Sequence, residues 1–317
     1  MNNSRINKNK NKFKKKKFIY LFILIILLIL GFSCRMAFHK SHIRNNDQRK
    51  HITLVAVGDS LTQGVGDQSN NGGYVGQIKQ QIQTKDKINV TTYNYGKSGD
   101  RSDQILARLN KSRTFQKRLK QANVITMTVG GNDLLQGLQK YSSVNFNSNE
   151  NSHQLDNSIH NVEDIYAHKL IKLINSIRKL NPNAPIFLFS IYNPVYVYFA
   201  NVSKLNKYID QFNIVTKDTI RSYKRIYFMN INQKLSYGQY NTVNKRKKLI
   251  KKDNSINTSK YKNAEDIEKK LLKGTSQELN IYLSSADHFH PNYKGYTQMT
   301  NLLYKTMQKH SLWKYKH

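Results

Sequence analysis

From residue 51 onward the chain repeats one alternation: a short apolar run rich in β-branched and aromatic residues, a turn of small polar residues, then a segment with helical spacing. This order constrains the fold more than any other feature. Parallel strands need a crossover connection, and crossover helices cover both faces of the sheet they join. ITLVAV (52–57) is an apolar run of the kind a buried parallel strand requires. INVTTYNY (88–95), VITMTV (124–129), PIFLFSIY (185–192) and IYFMNI (226–231) supply four more. Between them, YVGQIKQQIQ (74–83) sets Val75, Ile78 and Ile82 on one helical face, and SDQILARLN and FQKRLKQA read as helices. VEDIYAHKLIKLINSIRKL (162–180) is a strong amphipathic helix through Ile165, Leu170, Leu173, Ile174 and Ile177, ended by Asn181-Pro182. A helix over 203–223 and another in PNYKGYTQMTNLLYKTMQK (291–309) complete the pattern. The expectation is an α/β domain, a doubly wound five-stranded parallel sheet.

Two stretches interrupt this order. YSSVNFNSNENSHQLDNSIHN (141–161) is Asn/Ser-rich and reads as a long loop after the third strand. Residues 232–274 follow the fifth strand and are strongly basic around Lys245 to Lys252, and the whole insert reaches to about 283. Loops this long are functional or disordered. The basic run is either a solvated charged segment or a surface that holds an anionic cell-envelope polymer near the site.

Residues 1–17 carry Arg5, Lys8, Lys10, Lys12 and Lys14 to Lys17 and no acid. FIYLFILIILLILGFSC (18–34) follows without a charge and is closed by Arg35. At about 1.5 Å per residue this helix spans roughly 25 Å, enough for a bilayer core. The reading is an N-terminal transmembrane helix acting as a signal anchor, with residues 1–17 a basic cytoplasmic tail and 35–50 a polar stalk. The positive-inside rule then places the domain of residues 51–317 outside the cell membrane. A cleaved signal peptide and a lipidated Cys34 are the other options, and both also export the domain.

Cys34 is the only cysteine, so an extracellular domain here has no disulfides, no thiol nucleophile and no cysteine-zinc site. The ten histidines show no paired ligand spacing such as HExxH, so neither a metal nor a cofactor is expected. Lys and Arg number 52 against 19 Asp and Glu, a net charge of +33. Such a balance suits anionic partners, but the bias runs through the whole chain and no nucleic-acid motif accompanies it, so nucleic acid is not among the expected partners.

In a doubly wound sheet, ligands bind at the carboxyl ends of the strands. Just past those ends stand Gly58-Asp59-Ser60, Gly96-Lys97-Ser98-Gly99-Asp100 and Gly130-Gly131-Asn132-Asp133, and Asp287-His288-Phe289-His290 precedes the last helix. The residue types complement one another. A serine nucleophile needs a base, the base needs an orienting carboxylate, and an oxyanion needs donors. Ser60 supplies the hydroxyl, His290 the imidazole and Asp287 the carboxylate. Backbone N–H groups of Ser60 and Gly99 and the Asn132 amide supply the donors. Gly58 is expected to permit a sharp exit from its strand, and Gly99 to let a substrate oxygen approach without a Cβ in the way. A helix starting just after Ser60 would aim its positive end at the oxyanion.

GDSLTQGVGD, NYGKSGD, TVGGND and DHFHPNYKGY, in this order over about residues 51–310, resemble the four conserved blocks of the SGNH hydrolases, also called GDSL lipases/esterases. They are most similar to the bacterial lysophospholipase/arylesterase/thioesterase branch, especially its membrane-anchored Gram-positive members. The resemblance implies a flavodoxin-like sheet, no metal, Ser60 as nucleophile, Gly99 and Asn132 as oxyanion donors, and Asp287 with His290 as the DxxH pair. By the same spacing His288, the rival base, is a structural or rim residue. Asp59 holds its turn by hydrogen bonds to nearby N–H groups, and Asp100 and Asp133 cap helices. The expected activity is hydrolysis of a carboxylic ester or thioester from a small-molecule, lipid or polysaccharide substrate. O-acyl transfer or deacetylation on cell-envelope polysaccharide, and non-catalytic binding of polyanions, are the alternatives. The loop 141–161 and YNPVYVYF (192–199) are the candidate walls of an acyl groove, though core packing explains the aromatic stretch equally well.

Overall fold

The computed structural model describes residues 51–140, 149–200, 203–257 and 279–314. The tail, transmembrane helix and stalk expected over 1–50 lie outside the described residues; among the described ones, no helix is long and apolar enough to cross a membrane.

All five expected strands form: β1 His51–Gly58, β2 Asn89–Gly96, β3 Val124–Thr128, β4 Ile186–Phe189 and β5 Ile226–Met229. They pair in parallel in the order β2-β1-β3-β4-β5. The register aligns their carboxyl ends in one row, Gly96–Gly58–Thr128–Phe189–Met229. The residue after each strand therefore emerges along a single edge of the sheet.

Successive side chains of a strand point to opposite faces, and both faces are apolar here. Val55, Val57, Ile125, Met127, Ile186 and Leu188 enter one core. Helices α3 (Ser102–Lys111), α4 (Arg113–Lys120), α6 (Asn149–Leu180) and α7 (Ser203–Ile220) cover it through residues such as Ile105, Phe115, Leu173 and Phe212. Leu54, Ala56, Phe187 and Phe189 enter the other, against α2 (Tyr74–Lys85) and α10 (Tyr293–Lys309). Trp313, in the 3-10 turn Ser311–Lys314, closes this second core fully buried, its Nε1 donating to Met307 O at 2.8 Å. At the other end of α10, Tyr296 donates to Val65 O at 2.7 Å and joins the last helix to the turn after β1.

Two expectations change. Residues 149–161 are not loop but the start of α6, and Ile159 is buried in the first core. The Asn/Ser content of this stretch hides the helix, because Leu155 and Ile159 are its only apolar residues and two positions give no visible period. The basic insert is also partly helical: α8 spans Asn232–Tyr237 and α9 spans Val243–Asn257. Leu249 of α9 is buried in a small cluster with Tyr196, Val197 and Ala200 while Lys247, Lys248 and Lys251 are exposed. Residues 258–278 lie outside the described residues.

Gly58 does not adopt a positive φ, so it is not there for a sharp exit. It is there for room: a Cβ would stand 2.4 Å from Thr128 Oγ1 and 2.6 Å from Thr128 O. Gly58→Ala should therefore lower stability by about 1–3 kcal/mol through overpacking. Denaturant unfolding followed by the fluorescence of Trp313, the single tryptophan, measures it; wild-type stability in the variant would contradict the packing argument.

Candidate active site

The site is assembled from four segments along the carboxyl edge. After β1, Asp59 caps the one-turn helix α1 (Ser60–Gln63), its Oδ1 accepting Leu61 N–H at 3.0 Å. The same oxygen accepts Thr128 Oγ1 at 2.7 Å. Thr62 Oγ1 shares hydrogen bonds with Thr128 Oγ1 at 2.7 Å and with Tyr74 OH at 2.9 Å, and Tyr74 OH continues to Thr126 Oγ1 at 3.1 Å. A buried polar cluster thus lies under Ser60, which itself is nearly buried. Burial raises the Asp59 carboxyl above its ordinary value, against the hydrogen bonds from Thr128 and Leu61 and the nearby His290. Asp59 holds its turn as the sequence reading expects.

After β2, Lys97 N–H donates to Gly58 O at 3.0 Å and Ser98 N–H to Gln63 Oε1 at 2.7 Å. Gly99 sits at φ +82°, and no atom lies within 4 Å of the place its Cβ would occupy. Its N–H has no hydrogen-bond partner among the described residues. The left-handed backbone requires a glycine there, and the open space leaves its N–H approachable.

After β3, Gly130 at φ +105° starts α5 (Gly131–Gln139), whose first turn carries Asn132. Asn132 Nδ2 donates to Asp100 O at 3.0 Å, which fixes the amide with its nitrogen toward the β2 turn and leaves its second hydrogen uncommitted. Asp100 and Asp133 do not cap their own helices. Asp133 reaches across to α3, accepting Ser102 N–H at 3.0 Å and Ser102 Oγ at 2.6 Å. Asp100 pairs with Arg108 Nε at 2.5 Å. Arg108 Nη2 also donates to Gly58 O and Tyr95 O, both at 3.1 Å. Sequence reasoning missed Arg108, since one arginine on an amphipathic helix carries no signal that it folds back to the strand ends.

Before α10, His290 Nδ1 and Asp287 Oδ2 stand 2.7 Å apart, while Asp287 Oδ1 accepts the N–H groups of Phe289 and His290, each at 3.0 Å. Burial alone would raise the Asp287 carboxyl; the hydrogen bonds from the His290 ring and the two N–H groups outweigh it and hold the pKa below the ordinary value. His288, at φ +53°, turns away, its N–H donating to Ser284 O at 2.8 Å and its Nδ1 3.4 Å from Tyr198 OH.

Ser60 and Asn132 line one recess of about 50 Å³, walled by Val129, Ile191, Tyr192 and Phe289. Tyr192 OH donates to Phe289 O at 2.6 Å, tying the exit of β4 to the histidine loop. The loop is also packed against the turn after α1, where a Cβ on Gly66 would stand 3.0 Å from His290 Cβ. No hydrogen bond joins Ser60 Oγ to His290 among the described residues, and Gly99 lies outside the recess, connected to Asn132 through Asp100. Of YNPVYVYF, Tyr192 and Pro194 line the recess. Val195, Tyr198 and Phe199 are core, and Tyr196 and Val197 pack under α9. None of the described residues of 141–161 reaches the recess.

The GDSL-like Lipase/Acylhydrolase family profile matches residues 56–298. YpmR of Bacillus subtilis, an uncharacterized protein, is 29% identical over 275 residues, 86% of this chain and 88% of its own length. The spore germination lipase LipC of Bacillus licheniformis is 30% identical over 162 residues, 51% of this chain and 72% of its own. Among solved structures, the lipase Lip_vut3 from a goat rumen metagenome superimposes with a TM-score of 0.56 at 23% identity, covering 80% of this chain and 96% of that one, a likeness of fold. The chain belongs to the GDSL-like lipase/acylhydrolase family and is a carboxylic ester hydrolase.

Proposed function

We propose that the chain is an extracytoplasmic serine acylhydrolase that works through Ser60, His290 and Asp287. The observation that carries this reading is the Asp287–His290 pair at 2.7 Å, set beside a recess lined by a serine at a strand end and an asparagine amide. Asp287 fixes the histidine tautomer with Nε2 unprotonated, so that Nε2 takes the Ser60 proton as Oγ attacks the ester carbonyl. The N–H groups of Ser60 and Gly99 and the free hydrogen of Asn132 Nδ2 receive the oxyanion. The leaving alcohol takes its proton from His290, and water then releases the acid from Ser60. Catalytic hydrogen bonds are often long without substrate, so the open Ser60–His290 gap fits a site that tightens on binding.

The placement outside the membrane rests on the Lys-rich residues 1–17 followed by the uncharged 18–34. Protease added to intact cells should digest the domain while sparing a cytoplasmic control; full protection would sink that placement.

Ser60→Ala should abolish hydrolysis of a p-nitrophenyl ester, and Asn132→Ala should lower kcat about 10²–10³-fold. Undiminished turnover by the folded Ser60 variant refutes the serine mechanism. Asp59 carries a pH signature. Its folded pKa lies above its unfolded one, so the folded state holds the proton more tightly, and stability falls as pH rises from the unfolded value through the folded one. Asp59→Asn keeps an acceptor oxygen for Leu61 and Thr128 but does not titrate. Its unfolding free energy should drop less than that of the wild type as pH rises above about 4; identical slopes would contradict the raised pKa.

A further inference from the structure

The carboxyl edge carries a second recess that the hydrolytic reading leaves unused. Beyond the end of β5, Asn230, Gln233, Lys234, Tyr237, Asn241 and Arg246 line an open cleft of about 410 Å³. The lining holds two cations and three amides and no carboxylate. Arg246 lies over the Tyr237 ring, 4.4 Å from its centroid, with Nη1 donating to Tyr240 O at 3.2 Å. A stacked, weakly hydrated guanidinium keeps its remaining donors in a fixed fork, which suits phosphate oxygens. Lys234 is exposed, and neither cation has an acidic partner among the described residues. Lys247, Lys248 and Lys251, on the same helix α9 as Arg246, are also exposed.

The two recesses are neighbours. Ser190 lines the first, and its Oγ donates to Asn230 Oδ1 at 3.4 Å in the wall of the second. Ile231 N–H donates to the same Ser190 oxygen at 2.9 Å. From the exit of β1 to that of β5 is three strand spacings, roughly 14 Å. The recess at Ser60 is small, about 50 Å³ against about 410 Å³ for the cleft beyond β5, which favours a short acyl group.

We propose that the substrate is a short-chain acyl ester of an oligomeric polyol phosphate. The acyl group fills the recess at Ser60, and a phosphate farther along the polyol chain seats between Lys234 and Arg246. A single glycerol phosphate is too short to bridge three strand spacings, which is why the ligand is oligomeric. The inference rests on the serine-hydrolase reading. Ser60 Oγ bonds to the acyl carbon, the bond from that carbon to the polyol oxygen breaks, and the polyol leaves with the proton held by His290. Water then frees the short carboxylic acid.

The test compares three esters on the full chain in detergent: monoacetyl glycerol, a monoacetylated glycerol-phosphate trimer, and the same trimer carrying a decanoyl group. The acetylated trimer should show at least about a tenfold higher kcat/KM than acetyl glycerol, mostly in KM, and the advantage should shrink in about 0.5 M NaCl through screening. Lys234→Gln combined with Arg246→Gln should reduce the ratio of the two constants by about tenfold. Equal constants for the acetylated trimer and acetyl glycerol overturn the proposal. So does a trimer advantage that salt leaves intact, which reads out the wild-type protein whatever the variant does. Faster cleavage of the decanoyl trimer overturns the short-acyl assignment. Hydrolysis of the acetylated esters by the Ser60→Ala chain overturns instead the serine reading, and the inference falls with it.

Discussion

The hydrogen bond from Thr128 Oγ1 to the Asp59 carboxylate fastens the exit of β1 to the exit of β3 in the interior. A carboxyl group buried without partners costs several kcal/mol, so the surroundings of Asp59 are tightly prescribed. Thr128 must supply its hydroxyl, Leu61 must turn its N–H inward, and α1 must start where it does. Ser60 is the first residue of that turn, and its position follows from satisfying its neighbour. Thr62, Tyr74 and Thr126 continue the network down to α2 and leave no slack below the serine. Gly58 is small because Thr128 occupies the space a side chain would take.

The donors proposed for the oxyanion are held in the same indirect way, each by a group from another element. Arg108 of α3 joins the carbonyls of Gly58 and Tyr95 to the Asp100 carboxylate, so the ends of β1 and β2 and the turn carrying Gly99 are tied together. The Asp100 carbonyl then orients Asn132. Tyr192 gives the histidine loop a tether to β4. Arg108 and Asp100, which do not line the recess, and Tyr192, which does, thus tie together the segments that carry the proposed groups.

The sheet was legible because its central strands β1, β3 and β4 are buried on both faces and read as apolar runs, while the half-buried edge strands β2 and β5 still carry β-branched and aromatic residues. Part of the candidate site was legible because strand ends converge on one edge: Ser60 and Asn132, picked by position, share a recess, and Asp287 and His290 form a pair, while Gly99 stands outside the recess. What escaped was long-range and polar. Arg108 is spaced like any helix residue, and its three carbonyl and carboxylate partners are distant in sequence or hidden in turns. Asp133 reads as a helix cap, and the helix whose first N–H it accepts is α3 rather than α5. The first turns of α6 are Asn- and Ser-rich, and the described part of α9 in the basic insert is held by buried Leu249 and by Asp253, which accepts the Ala200 N–H at 2.8 Å. In each case tertiary contacts, not local propensity, decide the outcome.

The bond from Tyr296 to Val65 O joins the last helix to the turn that follows Ser60, and His290 stands just upstream of that helix. The nucleophile and base proposed above thus come from segments far apart in the chain. During synthesis Ser60 emerges early, and almost the whole domain must follow before His290 is seated. In the proposed mechanism a chain stopped anywhere short of α10 carries a serine without its base. Ester hydrolysis through that pair would in this sense also be a completion signal, reporting that the final helix has docked.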